Sequence, residues 1–581
     1  MWAPRAKSVE VEVSGVRHEM KPSGRGIWTA EVAAGAGTDY AFRLDGGDPR
    51  PDPRSPWQPR GVHAPSRRVD HAAFRWSDGK WAAPPLEAAV IYEMHVGTFT
   101  PESTFDGAIR RLDHLVDLGI THLEVMPVSD FPGTRGWGYD GVSLFAPKQE
   151  YGGPDGLKRL VDACHARGLA VLLDVVYNHL GPAGNYLGEF GPYFTDNYGT
   201  PWGQAVNLDA AGSDEVRRFI CDNALAWLRD YRFDGLRLDA VHALFDHSAT
   251  HILEQLTEEV RRFGESAGRR LVLIAESDLN DPRLMRPVAE GGYGLDSQWS
   301  DDFHHALHSA VTGETRGYYA GIGSLAQVAK ALTSGYVFDG QYAPARDRVH
   351  GRPLGNVPGH RLLAYVQTHD QVGNRAKGER WSHLVPEGAV YGAAALTLTS
   401  PFVPMLFQGE EWAASAPFQY FTDHDKELGE AITEGRRREF ADFGWAADEV
   451  PDPQDVATFE RSRLPWQERE REPHRAVLDW HRRLIRLRRA IPALTDGDRS
   501  RVRVAHDDDG RWLRMDRGPV TVACNFGKER TRIPLGVDRR EVLLASAGYA
   551  VSRSGVDLDP GAVVLGAPEA VSLWARSEEA R

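Results

Sequence analysis

The chain has 581 residues, of which 68 are Lys or Arg and 82 are Asp or Glu, so its formal net charge is −14. A chain this acidic is a poor general ligand for nucleic acid or for an anionic membrane, and we predict neither as a partner. Hydrophobic residues make up 41% of the chain and aromatic residues 10%. This composition excludes disorder as the main state and is typical of a protein with a large core.

The cysteines and the N-terminal sequence indicate a cytoplasmic protein. Cys164, Cys221 and Cys524 are odd in number and widely spaced, so we expect reduced thiols. The N-terminal residues contain no apolar signal-peptide core. No uninterrupted apolar run approaches the length of about 18 residues that a membrane span needs. We therefore predict a cytoplasmic location and no membrane span.

The first 85 residues predict a small β-sandwich. Val9, Val11 and Val13 alternate with polar residues, and this period of two is typical of strands with one buried face. Residues 48–61 are rich in proline, which cannot join a sheet ladder and indicates a surface loop. We place the end of this domain near residue 85, after a last short β segment around Phe74.

Residues 86–490 predict a (β/α)8 TIM barrel. Short apolar runs alternate here with amphipathic stretches, and such runs are typical of parallel strands buried on both faces. The runs begin at Ala89, His122, Ala170, Gly235, Leu271, Ser297, Leu362 and Pro404. Eight strand–helix units indicate the closed barrel. The alternative, an open doubly wound sheet, requires a glycine-rich turn after its first strand, and HVGTFTPEST is not such a turn.

Residues 491–581 predict an antiparallel β domain. After a helix around 479–489, apolar residues again recur with a period of two, as at Val502 and Val504 and later at Val520 and Val522. The chain therefore has a central barrel flanked by an N-terminal and a C-terminal β domain.

Three acidic residues stand at the ends of predicted barrel strands. They are Asp239, Glu276 and Asp370. In barrel enzymes the reacting groups lie at the carboxyl ends of the strands, so we expect these side chains to meet at one mouth. Two carboxyl groups across a bond, one ionised and one protonated, are the equipment for glycoside hydrolysis. A third carboxylate nearby would help to raise the pKa of the acid.

Basic residues surround these acids in the sequence. Arg237 lies two residues before Asp239 and so shares its inward face, where a guanidinium would keep the carboxylate ionised. His179, His242 and His369 also stand at strand ends and can donate hydrogen bonds to hydroxyl groups. A single acid at a strand end is usually a helix cap or a loop salt bridge, but the combination favours a sugar-binding site.

Two further patterns leave alternatives open. Trp137 and Tyr139 lie in a glycine-bordered loop after the second run, where they would either stack on sugar rings or pack the loop onto the barrel. His304 and His305 with Asp301 and Asp302 raise the question of a metal. No HExxH or similarly tight ligand spacing is present, so we predict no metal and no cofactor.

Four segments carry a family resemblance. DVVYNH (174–179), DGLRLDAVH (234–242), IAES (274–277) and QTHD (367–370) resemble the four sequence regions of the alpha-amylase superfamily, in the same order. Within that superfamily, IYEMHVGTFTPE, RGWGYDGVSLFAP, WSDDFHHA and THDQVGNRAKGER are similar to the maltooligosyltrehalose trehalohydrolases. The resemblance covers about residues 85–490. The flanking β domains fit the superfamily's layout, with a carbohydrate-binding-like sandwich first.

The resemblance implies a reaction and a set of site residues. The reaction is hydrolysis of the α-1,4-glucosidic bond next to the terminal trehalosyl unit of maltooligosyl trehalose, which releases trehalose by retaining double displacement. It implies that Asp239 is the nucleophile, Glu276 the general acid and base, and Asp370 the transition-state stabiliser. The substrate contacts that it implies are Trp137, Tyr139, Asp174, His179, Arg237, His242, Asp301, Asp302, Phe303, His304, His305, His369, Gln371 and Asn374.

The sequence departs from the superfamily pattern in one place. Many alpha-amylases bind calcium in a long excursion after the third strand, but residues 180–207 are short and lack a dense acidic cluster, which again predicts no metal. The resemblance also implies a companion synthase that makes the trehalosyl end, without implying contact between the two proteins.

Two other functions are weighed against the hydrolase. One is a glycogen branching enzyme or another α-glucan transferase on the same scaffold. The other is a binding protein that has lost catalysis, against which the presence of all three acids argues.

Overall fold

A computed structural model of the chain describes residues 1–442, 445–446, 449–535, 540–546, 556–559, 561–566 and 571–576. Eight parallel strands close into a barrel, which confirms the predicted TIM barrel. We number the barrel strands in chain order as β1 (Ile91–Met94), β2 (His122–Val125), β3 (Ala170–Val175), β4 (Gly235–Leu238), β5 (Val272–Ala275), β6 (Ser297–Trp299), β7 (Leu362–Ala364) and β8 (Val403–Phe407).

Each barrel strand pairs with the next along the chain, and β8 pairs with β1. The strands are buried along their whole length, as β3 illustrates, because helices cover the outside and side chains fill the inside. The register places Asp174 of β3 opposite Arg237 of β4. It likewise places Glu93 of β1 opposite Glu124 of β2.

Amphipathic helices cover the barrel. In the helix Gly153–His165, for example, the residues Leu157, Leu160, Val161 and Cys164 are buried, as their spacing predicts. The longer helices are Gly153–His165, Ser213–Asp230, Ile252–Ala267, Asp301–Thr312, Leu325–Ser334, Glu387–Thr399, Lys426–Asp442 and His474–Ala490. Shorter ones are Val96–Phe99, Phe105–Ile109, Leu112–Leu118, Leu187–Phe190, His369–Gly373, Trp381–Leu384, Val456–Arg461 and Pro492–Thr495. No helix in the described ranges is long and apolar enough to cross a membrane.

The N-terminal region contains antiparallel sheets. One has four strands, in the order Val16–Glu19, Val9–Val13, Asp39–Leu44 and Ser66–Arg67, and another pairs Lys21–Pro22 with Trp28–Thr29. The alternate valines of Val9–Val13 are buried, as predicted. The β segment predicted around Phe74 is wrong, because Asp70 caps a 3-10 turn at His71–Ala73 immediately before it. The sandwich arrangement stays a prediction.

The C-terminal region is antiparallel, as predicted. Its five-stranded sheet has the order Val502–Asp507, Trp512–Arg517, Val520–Asn525, Val571–Arg576 and Arg540–Ala545. A three-stranded sheet has the order Thr531–Pro534, Ala562–Leu565 and Val556–Asp559. The domain limits at residues 85 and 490 stay predictions.

Among the residues that the structure describes, two hairpins lie outside these sheets and the barrel. One pairs Phe194–Thr200 with Gly203–Val206, and the other pairs Gln341–Ala343 with Arg348–His350. The first follows β3 and the second follows β6, so both belong to connections that leave the carboxyl ends of barrel strands. The remaining short pair is Ser129–Asp130 with Ser143–Pro147.

Candidate active site

Two adjoining cavities open at the carboxyl ends of the barrel strands. One has a volume of about 830 Å³ and the other of about 400 Å³. Both are lined by Glu276 and Asp370, and the larger one is also lined by Asp239. We call the two cavities together the groove. The three carboxyl groups thus face a common space that extends to both sides of them.

A cavity of about 970 Å³ lies at the opposite end of the barrel. It is lined by Leu86, which precedes β1, by Val272, which begins β5, and by Arg361, which precedes β7. These residues stand at the amino ends of the strands. In barrel enzymes, residues at this end usually stabilise the fold and do not take part in catalysis. We therefore take the groove, and not this cavity, as the candidate active site.

Arg237 connects the carboxylates of Asp174 and Asp239. Its guanidinium is fully buried, and Nη1 donates to both carboxylate oxygens of Asp174 at 2.8 Å and to Oδ1 of Asp239 at 2.6 Å. Asn178 donates to Oδ2 of Asp239 at 2.7 Å. Burial by itself would raise the pKa of Asp239, but Arg237, His179 and Asn178 more than offset it, so this pKa is lowered. Asp239 is therefore ionised at neutral pH.

Glu276 has the opposite electrostatic character. Burial raises its pKa well above the ordinary value, and the carboxylates of Asp239 and Asp370 raise it further, although Arg237 opposes them. Oε2 of Glu276 accepts a short hydrogen bond from the backbone N–H of Ala240 and lies 3.6 Å from Nη2 of Arg237. The site thus pairs an ionised carboxylate with a carboxylic acid. A displacement reaction assisted by an acid needs one carboxyl group in each of these two states.

Asp370 stands at the start of the short helix His369–Gly373. Thr368 caps this helix and receives the backbone N–H of Asp370 at 3.2 Å. The side chain of Asp370 is 40% exposed, whereas those of Asp239 and Glu276 are 12% and 15% exposed. Its carboxylate accepts a hydrogen bond from Asn374 at 3.3 Å. Of the three acids, Asp370 is therefore the one most open to a ligand.

His369, which follows β7, and Tyr139, in the connection after β2, form one wall of the larger cavity. The Tyr139 hydroxyl lies 2.8 Å from Nε2 of His369 and donates to Oδ2 of Asp174 at 2.5 Å. Their rings stack with centroids 5.1 Å apart. Burial lowers the pKa of His369, but Asp370 and Glu93 outweigh it and raise this pKa to about 9. The wall therefore presents a cation beside Asp370.

His179 and His242 line the larger cavity. The ring of His179 stacks on Trp202 with centroids 4.5 Å apart and planes 5° from parallel. Trp202 is 48% exposed and joins the two strands of the hairpin Phe194–Val206. Exposed indole faces are suited to stacking on sugar rings. Trp202 is not among the predicted site residues, because a lone Trp in a polar loop has no recognisable sequence pattern.

The stretch from Asp301 to His305 divides between the groove and the interior. It begins the helix Asp301–Thr312, and Asp301 and His305, which are one turn apart on the same face, line the smaller cavity. Phe303 packs on Phe402 in the core. His304 is buried and bonds to the carbonyl of Val366 and the hydroxyl of Tyr319. The helix thus turns Phe303 and His304 away from the groove.

Asp302 reaches the edge of the smaller cavity, but its carboxylate is already hydrogen-bonded to other parts of the protein. It accepts hydrogen bonds from the backbone N–H groups of Val337 and Phe338 and from the side chain of Asn280. Asp302 therefore holds the connection that follows the helix Leu325–Ser334. Asn280 was not predicted either, since it lies in an irregular loop.

Trp137, Gln371 and Asn374 also border the groove. Trp137 is only 5% exposed, stacks on Phe418 and donates to the carbonyl of Gln419. Of the two roles weighed for it, packing the loop onto the barrel is the one its contacts favour. Gln371 and Asn374 line the smaller cavity, where Gln371 also caps its helix through Thr368.

No group of three or more His, Cys, Asp or Glu side chains within the described part of the chain has the geometry to hold a metal ion. Arg237 lies beside the carboxylates of Asp174 and Asp239, and His369 lies beside that of Asp370. We predict that dialysis against a chelator leaves the catalytic rate unchanged, because the described residues offer no cluster of ligands for a cation. The measurement compares the dialysed enzyme with and without added calcium. A rate lost on dialysis and restored by calcium would show this prediction to be wrong.

Comparison with known proteins identifies the family. Residues 72–193 match the family model of the alpha amylase catalytic domain, and residues 497–573 match a domain of unknown function, DUF3459. A malto-oligosyltrehalose trehalohydrolase of Arthrobacter ramosus is 51% identical over 577 residues, covering 97% of this chain and 98% of that protein. The chain belongs to the malto-oligosyltrehalose trehalohydrolase family. It is an alpha-amylase-type glycoside hydrolase, which confirms the resemblance seen in the sequence motifs.

Other relatives agree with this assignment. The trehalohydrolase of Rhizobium sp. (strain M-11) is 50% identical over 571 residues, covering 96% of this chain and 95% of that protein. A solved structure described as a putative alpha amylase from Salmonella typhimurium has a TM-score of 0.90 at 36% identity, covering 99% of this chain and 97% of that one. A branching enzyme of Vibrio parahaemolyticus is 32% identical over 54% of this chain and 47% of that protein. The branching-enzyme alternative is therefore not favoured.

Proposed function

We propose that this enzyme hydrolyses the α-1,4-glucosidic bond next to the terminal trehalosyl unit of maltooligosyl trehalose and releases trehalose. The observation that carries the proposal is the arrangement of Asp239, Glu276 and Asp370 around one groove. It occurs in a chain that is about half identical, over nearly its whole length, to proteins named trehalohydrolases.

In the first step Asp239 attacks the anomeric carbon at the scissile bond. Its lowered pKa supports this role, because the attacking carboxylate must be ionised. Glu276 gives its proton to the departing oxygen of trehalose, and the maltooligosyl chain becomes bonded to Asp239. Glu276, now ionised, removes a proton from water, which displaces Asp239 and releases the free glucan.

The placement of Asp239 and Glu276 supports a retaining outcome. Retaining glycosidases hold their two carboxyl groups about 5 to 5.5 Å apart, whereas inverting enzymes leave room for a water molecule between them. Asp239 and Glu276 each approach a terminal nitrogen of the same guanidinium, that of Arg237. The shared guanidinium places the two carboxyl groups near each other, which is compatible with the direct attack by Asp239 that the family resemblance implies.

The other site residues bind or orient the sugar in this proposal. Asp370 is the most exposed acid and would bind hydroxyl groups as the sugar ring distorts. His179 and His242 offer donors from the larger cavity, while Asp301 and His305 line the smaller one. Because the groove extends to both sides of the acids, it has room for a glucan on one side and for the leaving disaccharide on the other.

The test offers the purified enzyme two substrates of equal length, maltooligosyl trehalose and the plain maltooligosaccharide. We expect preferential release of free trehalose from the first. The products are separated by chromatography and examined for new α-1,6 linkages. Equal cleavage of both substrates would contradict the trehalosyl specificity, and new branch points would favour the transferase alternative.

A further inference from the structure

Glu93 is a buried acid beneath the groove that the proposed mechanism does not use. It lies on β1 and is 1% exposed. Its two carboxylate oxygens accept hydrogen bonds from His369, one from the backbone N–H at 3.0 Å and one from ring Nδ1 at 2.5 Å. Glu93 therefore holds both the main chain and the ring of the residue directly before Asp370.

A count of donors and acceptors determines the direction of the next hydrogen bonds. Both oxygens of Asp174 accept from Arg237, so Asp174 acts as a carboxylate. The single hydroxyl proton of Tyr139 is then given to Asp174 at 2.5 Å. Nε2 of His369 lies 2.8 Å from the same hydroxyl. Since the hydroxyl proton is already used, Nε2 must be the donor, and the ring carries protons on both nitrogens.

We propose that Glu93 is a positioning residue that keeps His369 doubly protonated and so holds the Tyr139 hydroxyl toward Asp174. The inference rests on the proposed function, because the aligned groups serve Asp239 and Asp370. A chain of hydrogen bonds then runs from Glu93 through His369, Tyr139 and Asp174 to Arg237 and ends at Asp239. The imidazolium also lies 3.4 Å from Oδ1 of Asp370.

The charges around the ring are consistent with this role. The titratable and charged groups that face His369 are Glu93 on β1, His95 after β1, Glu124 on β2, Tyr139 in the following loop, Asp174 on β3, Arg237 on β4 and the adjacent Asp370. Burial and Arg237 lower the pKa of His369, whereas Asp370 and Glu93 raise it, with a net result of about 9. Burial lowers the pKa of His95 to about 4, so that ring is neutral.

Glu124 provides a matched control within the same layer of the barrel. It lies opposite Glu93 in the register of β1 and β2 and is equally buried. Neither of its carboxylate oxygens has a hydrogen-bond partner. Burial and the neighbouring Glu93 raise its pKa well above the ordinary value, which favours the uncharged carboxylic acid. The change Glu124→Gln therefore alters neither charge nor shape, whereas Glu93→Gln removes a charge.

The experiment measures kcat/KM against pH for Glu93→Gln and Glu124→Gln, using an α-maltooligoside with a 4-nitrophenyl leaving group. This leaving group needs little protonation, so the alkaline limb reports His369 rather than Glu276. A raised pKa means that the protonated ring is lost as the pH rises through that value. We expect Glu93→Gln to move the alkaline limb at least about one pH unit lower, because an opposite charge has been removed. Glu124→Gln should leave the limb in place.

A second substitution at the same position keeps the inference testable if Glu93→Gln does not fold. Glu93→Asp keeps the charge but shortens its reach, so kcat should fall roughly tenfold with little change in KM and in the alkaline limb. If Glu93→Gln folds, its addition to His369→Gln should leave the pH profile of that variant unchanged, because the titrating ring is already absent. An unmoved limb in Glu93→Gln, or a wild-type kcat in Glu93→Asp, would overturn the inference.

The unmodified enzyme separates this inference from the proposed function. If it fails to release trehalose preferentially, the proposed substrate is wrong. The pH comparison of Glu93→Gln and Glu124→Gln uses the 4-nitrophenyl α-maltooligoside, which contains no trehalosyl unit, so it can still be made and the two failures are distinguishable.

Discussion

Asp239→Asn is expected to lower the turnover of maltooligosyl trehalose by roughly 10⁴-fold or more while the fold stays intact. An amide has nearly the shape of the carboxylate but no charge, so it cannot form the covalent intermediate. The fold should tolerate the change because Arg237 keeps both of its hydrogen bonds to Asp174. The measurement is trehalose release under saturating substrate, together with a thermal unfolding curve.

The control for this variant is Asp117→Asn. Asp117 is an exposed acid on the helix Leu112–Leu118, outside the groove. It should keep wild-type activity and show that the substitution type is harmless in itself. If Asp239→Asn retained more than a small fraction of wild-type activity, Asp239 could not be the nucleophile.

Glu276→Gln is expected to cause a loss that depends on the leaving group. On maltooligosyl trehalose the first step needs a proton for the departing sugar oxygen, and removal of the acid should cost on the order of 10²- to 10⁴-fold in kcat/KM. On a 4-nitrophenyl α-maltooligoside the loss should be roughly tenfold or less, because 4-nitrophenolate departs without protonation. The measurement is kcat/KM for both substrates.

Asp239→Asn serves as the matched comparison for Glu276→Gln. Removal of the nucleophile should reduce the rates on both substrates alike, since neither can react without it. If Glu276→Gln also reduced both rates equally, its role as the general acid would be contradicted. The raised pKa of Glu276 is the physical basis of the expectation, because an acid must keep its proton at the working pH.

The barrel could be predicted from the sequence because its strands are buried on both faces. Continuous apolar runs such as the one containing β3 have few alternative interpretations once amphipathic helices separate them. The predicted β segment around Phe74 failed for a local reason. Asp70 caps a 3-10 turn there, and such a side-chain cap competes with strand formation regardless of the flanking residues.

The convergence of Asp239, Glu276 and Asp370 on the groove was predictable because parallel barrel strands end at the same face. The helix that begins at Asp301 was not, because SQWSDDF (297–303) has the pattern of one continuous strand. In a strand, alternate side chains of residues 301–305 would share one face. In a helix, residues four apart share one face. The structure accordingly brings Asp301 and His305 to the groove but not Phe303 and His304.

The role of Glu93 could not be predicted from the sequence, for a different reason. It lies within a buried strand, and its partner His369 is 276 positions away in the chain. No local pattern connects two residues at such a separation, and a single acid in an apolar run has no distinctive signal. Only the closure of the barrel brings β1 beside the residues that follow β7.

The pairing of Asp174 with Arg237 across β3 and β4 has a consequence for how activity arises during folding. The register of the parallel ladder between these two strands places Asp174 opposite Arg237. A slip of one residue would turn Arg237 to the outside of the barrel and leave Asp239 without its cation. Correct alignment of the two strands is therefore required for activity, since only then does Asp239 become a reactive carboxylate.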